Sequence, residues 1–122
     1  MATKNKYQYE ATITNVVDGD TVDALVDLGF NITSKMRIRI YGVDTKEINS
    51  KYTEEREQAM KAKTFVTLFL LNRKVLLTTY KPDKYGRYLA EIHFTLDGVE
   101  RNIGDMLLIE DLAEPYYGGT RE

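Results

Sequence analysis

Four places in this 122-residue chain hold more charged chemistry than a fold requires: "VVDGDTV", the strand-like "KMRIRIYGV", "GVDTKE" and "DKYGR". A hairpin turn uses an Asp-Gly pair. Asp18-Gly19-Asp20 adds a second carboxylate where the next strand begins. Arg39 stands on the polar side of an alternating run, and Asp44, Thr45 and Glu47 follow it. Lys84, Tyr85 and Arg87 share a later loop. If strand ends and loops converge, Asp20, Asp44 and Glu47 meet Arg39 and Arg87.

Carboxylates from separate chain positions, joined by backbone carbonyls and water, suit a hard cation. Calcium takes ~6–8 oxygen ligands in irregular geometry. With one histidine and no cysteine, zinc and softer metals are disfavoured on donor chemistry. A planar, permanently charged guanidinium grips phosphate oxygens at two points. A cation and two arginines around one phosphate stabilise the charge that builds during in-line displacement. Glu47 is then the natural group to position or deprotonate the attacking water. Taken singly, each segment has a plainer reading: a turn, a strand exit, a polar loop in which Gly86 allows close backbone packing, a solvated arginine. The case rests on their joint occurrence in this order.

The elements that must position these residues are legible as patterns. Residues 7–17 alternate apolar and polar and are rich in Tyr, Thr, Ile and Val, as a half-buried strand is. Residues 21–28 give a second strand and 35–43 a third, with Met36, Ile38 and Ile40 on one face and Arg37, Arg39 and Tyr41 on the other. Ala59, Ala62, Val66, Phe69 and Leu70 form one apolar stripe of a helix over 53–71, with Thr53 as expected cap and Glu54 and Glu55 in its first turn. Residues 74–80 and 88–96 read as strands four and five. Asn102 caps a second helix running to about Asp111, and the tail "PYYGGTRE" is expected to fray. Five short strands with one helix after the third and one after the fifth predict an α+β fold, a partly closed five-stranded barrel of the OB type. One domain is expected over residues 1–122, with a core of about 7–117 and a flexible 118–122.

No apolar run approaches the 18 residues of a membrane helix. The first ten residues carry charge but no apolar stretch, and cysteine is absent, so the expectation is a cytoplasmic monomer, with secretion after processing as the alternative. The net charge of −2 hides segregation. Residues 1–34 hold Lys4 and Lys6 against five acids, residues 35–87 hold thirteen basic against six acidic residues, and residues 88–122 two basic against eight acidic. The central excess reads either as a solvated face or as a surface that attracts phosphates. His93 alternates with Glu91 and is expected to be an ordinary surface histidine.

"VVDGDTV", "RIYGVDTKE" and "DKYGR" resemble the three signature segments of the staphylococcal nuclease family, and the resemblance runs from about Tyr9 to Tyr117. It implies an OB barrel with helices and a calcium-dependent phosphodiesterase that cuts single- and double-stranded DNA and RNA to 3′-phosphate ends. It further implies that Asp20, Asp44 and the carbonyl of Thr45 bind calcium, with Asp18 supporting that site from behind. Glu47 acts on the water, Arg39 and Arg87 hold the phosphate, and Lys84 and Tyr85 contact a second phosphate. Tyr116 or Tyr117, with Tyr117 preferred, supplies an aromatic contact to the nucleotide. Gly19 is expected to help the turn aim Asp20.

The chain also departs from the family pattern. Lys46 stands where a proline is usual, and Asp111 where the second helix usually ends in glycine, though aspartate tolerates the left-handed conformation. A third helix is not expected, and the acidic charge differs from that of the basic secreted enzymes, which points to intracellular relatives. Because Asp20, Arg39, Asp44, Glu47 and Arg87 are all present, a nuclease is expected. The rival reading is a non-catalytic OB module that binds nucleic acid or protein.

Overall fold

Alternation is what builds the barrel, because each long strand presents every second residue to one interior. The computed structural model describes residues 7–117. Within them run β1 (Gln8–Asp18), β2 (Thr21–Gly29), β3 (Ile32–Ile40), β4 (Gly42–Asp44), α1 (Thr53–Leu70), β5 (Lys74–Tyr80), β6 (Tyr88–Leu96), β7 (Val99–Asn102), α2 (Ile103–Ile109) and β8 (Glu114–Tyr116). The five long strands follow the order β3-β2-β1-β5-β6, antiparallel throughout, and a parallel pairing of β3 with β6 closes the barrel. The expected helices follow the third and fifth of these strands. Ile13, Val22, Ile40, Leu77 and Ile92 fill the interior.

Three short strands were not expected from the sequence. The third strand stops at Ile40, and Gly42–Asp44 pairs instead with Glu114–Tyr116, Asp44 lying opposite Glu114. Pro115 and Tyr116, at the start of the tail read as fraying, are therefore ordered, and 118–122 lies outside the described residues. A positive φ of 88° at Gly42 lets the chain turn out of β3 into β4. β7 extends β6 as a hairpin after the Asp97-Gly98 turn.

α1 covers one end of the barrel. Ala62, Val66 and Leu70 are buried in the barrel's core and Ala59 is buried beside them on the helix, while Phe69 is half-buried and packs between Phe65 and Phe94. Burying a side chain such as Val66 or Leu70 contributes about 1.5–3 kcal/mol. Thr53 is not the cap: it is the first helical residue, and Tyr52 at the cap position makes no side-chain cap bond. Ser50 organises this end instead, accepting from the Tyr52 amide (3.1 Å) and donating to Glu55 (2.6 Å). Asn102 does cap α2, its Oδ1 accepting from the amides of Gly104 (2.8 Å) and Asp105 (3.3 Å). Asp111 turns the chain at φ 58°, in the left-handed region.

Gly19 shows how α1 and the first turn constrain each other. Its φ is not positive, so conformational freedom is not its role. A Cβ there would lie 2.6 Å from the Cβ of Ala62 and 3.0 Å from Cγ2 of Thr45. The absent side chain thus lets the helix and the loop after β4 close over the turn. Gly19→Ala should destabilise the fold by about 1–3 kcal/mol through overpacking, read from urea unfolding. A midpoint equal to wild type would show that α1 can shift freely.

Candidate functional site

Among the described residues, the buried polar or charged side chains are Asp20, Arg39 and Thr45. Strand pairing explains why they meet. Thr21 lies opposite Arg39 in the β2–β3 ladder, so Asp20 sits beside the guanidinium, and β4 carries Asp44 back toward the same point. Arg39 Nη2 lies 3.0 Å from Asp44 Oδ1 and 3.5 Å from Asp20 Oδ2. Its Nη1 donates to the carbonyl of Val43 (2.8 Å) and more weakly to that of Ile40 (3.3 Å). The guanidinium also lies over the Tyr116 ring, 5.4 Å from its centroid. Asp20 accepts from the Thr45 amide (3.1 Å) and the Thr21 hydroxyl (3.0 Å), and Asp18 accepts from the Asp20 amide (3.2 Å).

These contacts separate two neighbouring acids. Burial, then the Asp20 side chain and its charge, push the Asp18 carboxyl up to about 6. Burial also pushes Asp20 upward, but the Asp18 hydrogen bond, the Arg39 charge and the Thr45 and Thr21 donors outweigh it and hold Asp20 low. The raised Asp18 value favours the folded state only while Asp18 stays protonated. That contribution is complete below the ordinary value of 3.8 and is lost as pH rises through about 6. In chelator, Asp18→Asn should therefore match wild type near pH 3.5 and gain as pH rises. The gain reaches about 1–2 kcal/mol above pH 6, discounted for a half-exposed carboxyl. An advantage that shrinks across that interval would exclude Asp18 as the titrating group.

The "DKYGR" loop is ordered by a residue the sequence reading did not single out. Asp83 accepts from the amides of Tyr85 (2.9 Å) and Arg87 (3.0 Å) through Oδ1, and pairs with Arg87 Nε through Oδ2 (2.7 Å). The signal was present: an Asp three residues before a Gly is a common way to fold a turn on its own backbone. Gly86 serves by its φ of 75°, and not by close packing as expected, because a Cβ added there would meet no described atom within 4 Å. Arg87 and Lys84 both lie against the exposed Tyr85 ring.

Arg39 and Arg87 line one cleft of about 80 Å³, together with Tyr41, Asp83 and the two tail tyrosines. Tyr117 is the more exposed of those two, and its ring packs over the Gly42 backbone, where a Cβ would come within 3.2 Å. Glu47 is placed less closely. It follows Asp44 by three residues, with its side chain exposed. Lys46 pairs with Glu114 on β8 (3.6 Å). His93 is not a simple surface residue: it is half-buried, with Nε2 3.3 Å from Glu91 and Nδ1 3.7 Å from Glu100.

The profile described as "Staphylococcal nuclease homologue" matches residues 37–121, from Arg37 of β3 onward. The chain belongs to the staphylococcal nuclease family. Its relatives include Protein ParB of Escherichia coli, 28% identical over 109 residues, which cover 85% of this chain and 55% of ParB. Another is the uncharacterized protein MJ1439 of Methanocaldococcus jannaschii, 32% identical over 130 residues, covering 88% of this chain and 59% of that protein. A probable endonuclease LCL3, from Uncinocarpus reesii, is 34% identical over 58 residues, covering 48% and 19%. The chain thus spans less than two thirds of the length of each of these relatives. The family match begins downstream of Asp18 and Asp20, and it is the β2–β3 pairing that carries those aspartates to the matched segment. No helix among the described residues is long and apolar enough to cross a membrane.

Proposed function

We propose that this chain is a calcium-dependent nuclease that hydrolyses phosphodiester bonds of DNA and RNA and leaves 3′-phosphate ends. The observation that carries this reading is the burial of Asp20, Arg39 and Thr45 as one hydrogen-bonded group. A buried ion pair is poor at stabilising a fold, and apolar residues of similar volume commonly do as well or better. A fold that keeps one beside an open cleft holds it for its chemistry.

The donor set fits a hard cation. Asp20 and Asp44 converge on the same guanidinium nitrogen, and the Thr45 backbone is adjacent. The described residues contain no group of three or more Asp, Glu, His or Cys able to hold a metal. Asp20, Asp44 and the Thr45 carbonyl are the groups that would hold a calcium ion, a cation that accepts water among its oxygen ligands. Bound there, calcium supplies positive charge against the phosphate and lowers the pKa of a bound water.

The protein groups do the rest. Arg39, locked by the Val43 and Ile40 carbonyls, presents a fixed charge to the phosphoryl oxygens; Arg87, lining the same cleft, joins it after exchanging Asp83 for phosphate. Glu47 positions the water and takes its proton on a carboxylate oxygen. The water oxygen bonds to phosphorus, the bond to the 5′-oxygen breaks, that oxygen takes a proton from solvent, and a 3′-phosphate and a 5′-hydroxyl result. Asp18 supports Asp20, while Lys84 and Tyr85 meet a neighbouring phosphate and Tyr117 a base.

A second reading, a binding module without catalysis, is favoured by one observation: among the described residues only two carboxylates, Asp20 and Asp44, pair with Arg39. Labelled single-stranded DNA incubated with calcium, with magnesium or with chelator separates the two. Fragments with 3′-phosphate ends that form only with calcium are expected. Binding without cleavage under all three conditions would establish the module instead. Asp20→Asn should raise the calcium needed for half-maximal rate, and an unchanged titration would remove Asp20 from the cation's ligands.

A further inference from the structure

A groove of about 760 Å³ runs along the outer side of α1, with Glu110 and Leu112 from the turn after α2 also lining it. It extends from Thr53 to Leu68, about 22 Å at the helical rise per residue. A surface helix normally gives its solvent side to polar residues. This one turns Ala59, Ala62, Val66 and Leu70 inward, yet leaves Met60 48% and Leu68 76% accessible along the groove. Phe65 and Leu112, both half-buried against the core, add to its apolar lining. An apolar groove rimmed by polar residues marks an interaction site.

The rim selects the partner. Arg56 and Lys61 bring two positive charges and Glu57 and Glu110 two negative ones, all four exposed. A phosphate backbone or an anionic lipid surface is bound by a basic excess, which this rim lacks. Two charges of each sign are instead complementary to a second copy of the same rim. Among the described residues Glu57, Lys61 and Glu110 form no ion pair. Glu57 and Lys61 stand four apart, a spacing at which a pair within the helix is common. Here both charges are left for an outside partner.

We propose that this groove receives a second copy of the chain, the two α1 helices packing antiparallel about a two-fold axis near Met60. The dimer takes the place of the monomer expected from the sequence. In such an isologous contact every pairing occurs twice. Glu57 of one copy meets Lys61 of the other, Lys61 meets Glu57, and the two Met60 side chains meet at the axis. Leu68 of each copy reaches the start of the other's α1, where Tyr52 stands 57% exposed. Packed helices lie about 8–10 Å apart, close enough to take these side chains out of water. The inference does not depend on the nuclease reading. The groove shares no residue with the two-arginine cleft, so the dimer retains both clefts.

The test is sedimentation velocity of the full chain from about 1 to 300 μM, which brackets association in the micromolar range. The expected result is a mass that rises with concentration toward twice that of one copy, and Leu68→Glu should abolish the rise. Glu57→Lys alone and Lys61→Glu alone should each weaken association about ten-fold or more, because each sets like charges together across the axis. An equimolar mixture of those two variants should recover it, since both pairs across the axis are then opposite in sign. Recovery requires folded chains of both kinds, so it distinguishes a lost contact from a lost fold. The mass of one copy at every concentration overturns the proposal and leaves the groove to a different chain. A dimer that survives Leu68→Glu and both charge reversals overturns the assignment to this groove. Charge reversals without effect, or a mixture that stays monomeric, overturn the antiparallel pairing.

Discussion

Arg87→Ala should lower the rate of phosphodiester hydrolysis by about 10³–10⁵-fold, the range over which an arginine contributes in related phosphoryl transfer, while leaving the fold nearly untouched. The two halves of this expectation come from different observations. In the structure Arg87 is bound to Asp83 in an exposed loop, its side chain 43% accessible, so the pair contributes at most about 1 kcal/mol. Its place in the cleft that Arg39 also lines is what makes it available to a phosphate. Single-turnover rates at saturating substrate, alongside urea unfolding, separate the effects. A rate within a few-fold of wild type would show that Arg87 does not touch the transferring phosphoryl group. Arg87→Lys should recover only part of the rate, because an ammonium restores charge without the two-pronged geometry.

Arg39→Ala should instead damage both activity and stability. Removing one partner of a buried ion pair costs about 3–5 kcal/mol because the other is left uncompensated. Here the loss leaves Asp20, buried, facing Asp44, and strips the Val43 and Ile40 carbonyls of a donor. The penalty should depend on pH in a stated direction. Asp20 is held low in the folded protein partly by Arg39, so its stabilising contribution is present above the ordinary value of 3.8 and lost as pH falls through its folded value. The variant's deficit is therefore largest near neutrality and shrinks in acid, where Asp20 can take a proton. Calcium should also raise the variant's unfolding midpoint more than that of wild type, the cation standing in for the guanidinium between the carboxylates. A pH-independent deficit and an unchanged calcium response would together show that Asp20 and Asp44 do not act as one site.

These two arginines illustrate what could be read in advance. Both were identifiable as phosphate-holding candidates, yet Arg39 looked like a default surface residue on the outer face of a strand. Alternation reports only which side of a strand a residue occupies. It is silent on whether that side is later covered, and here β4, β8 and Tyr116 cover it. The same limit hid the end of the third strand, because a three-residue pairing such as 42–44 with 114–116 leaves no periodicity to detect. Asp83 was missed for a different reason: its partners are backbone amides of its own loop, and such bonds have no side-chain pattern beyond the aspartate–glycine spacing.

The sequence by itself determined the five long strands and two helices in chain order, the Asn102 cap and the set of residue types that belong to phosphate chemistry. These follow from local rules, period two, period 3.6, cap chemistry and charge type, each contained within a dozen residues. Only the tertiary structure decided that Asp20, Arg39 and Thr45 are buried together, that Gly19 is kept for the approach of Ala62, and that Arg87 rests on Asp83 in a cleft that Arg39 also lines. Burial and convergence depend on pairings between segments tens of residues apart, and those are fixed when the barrel closes.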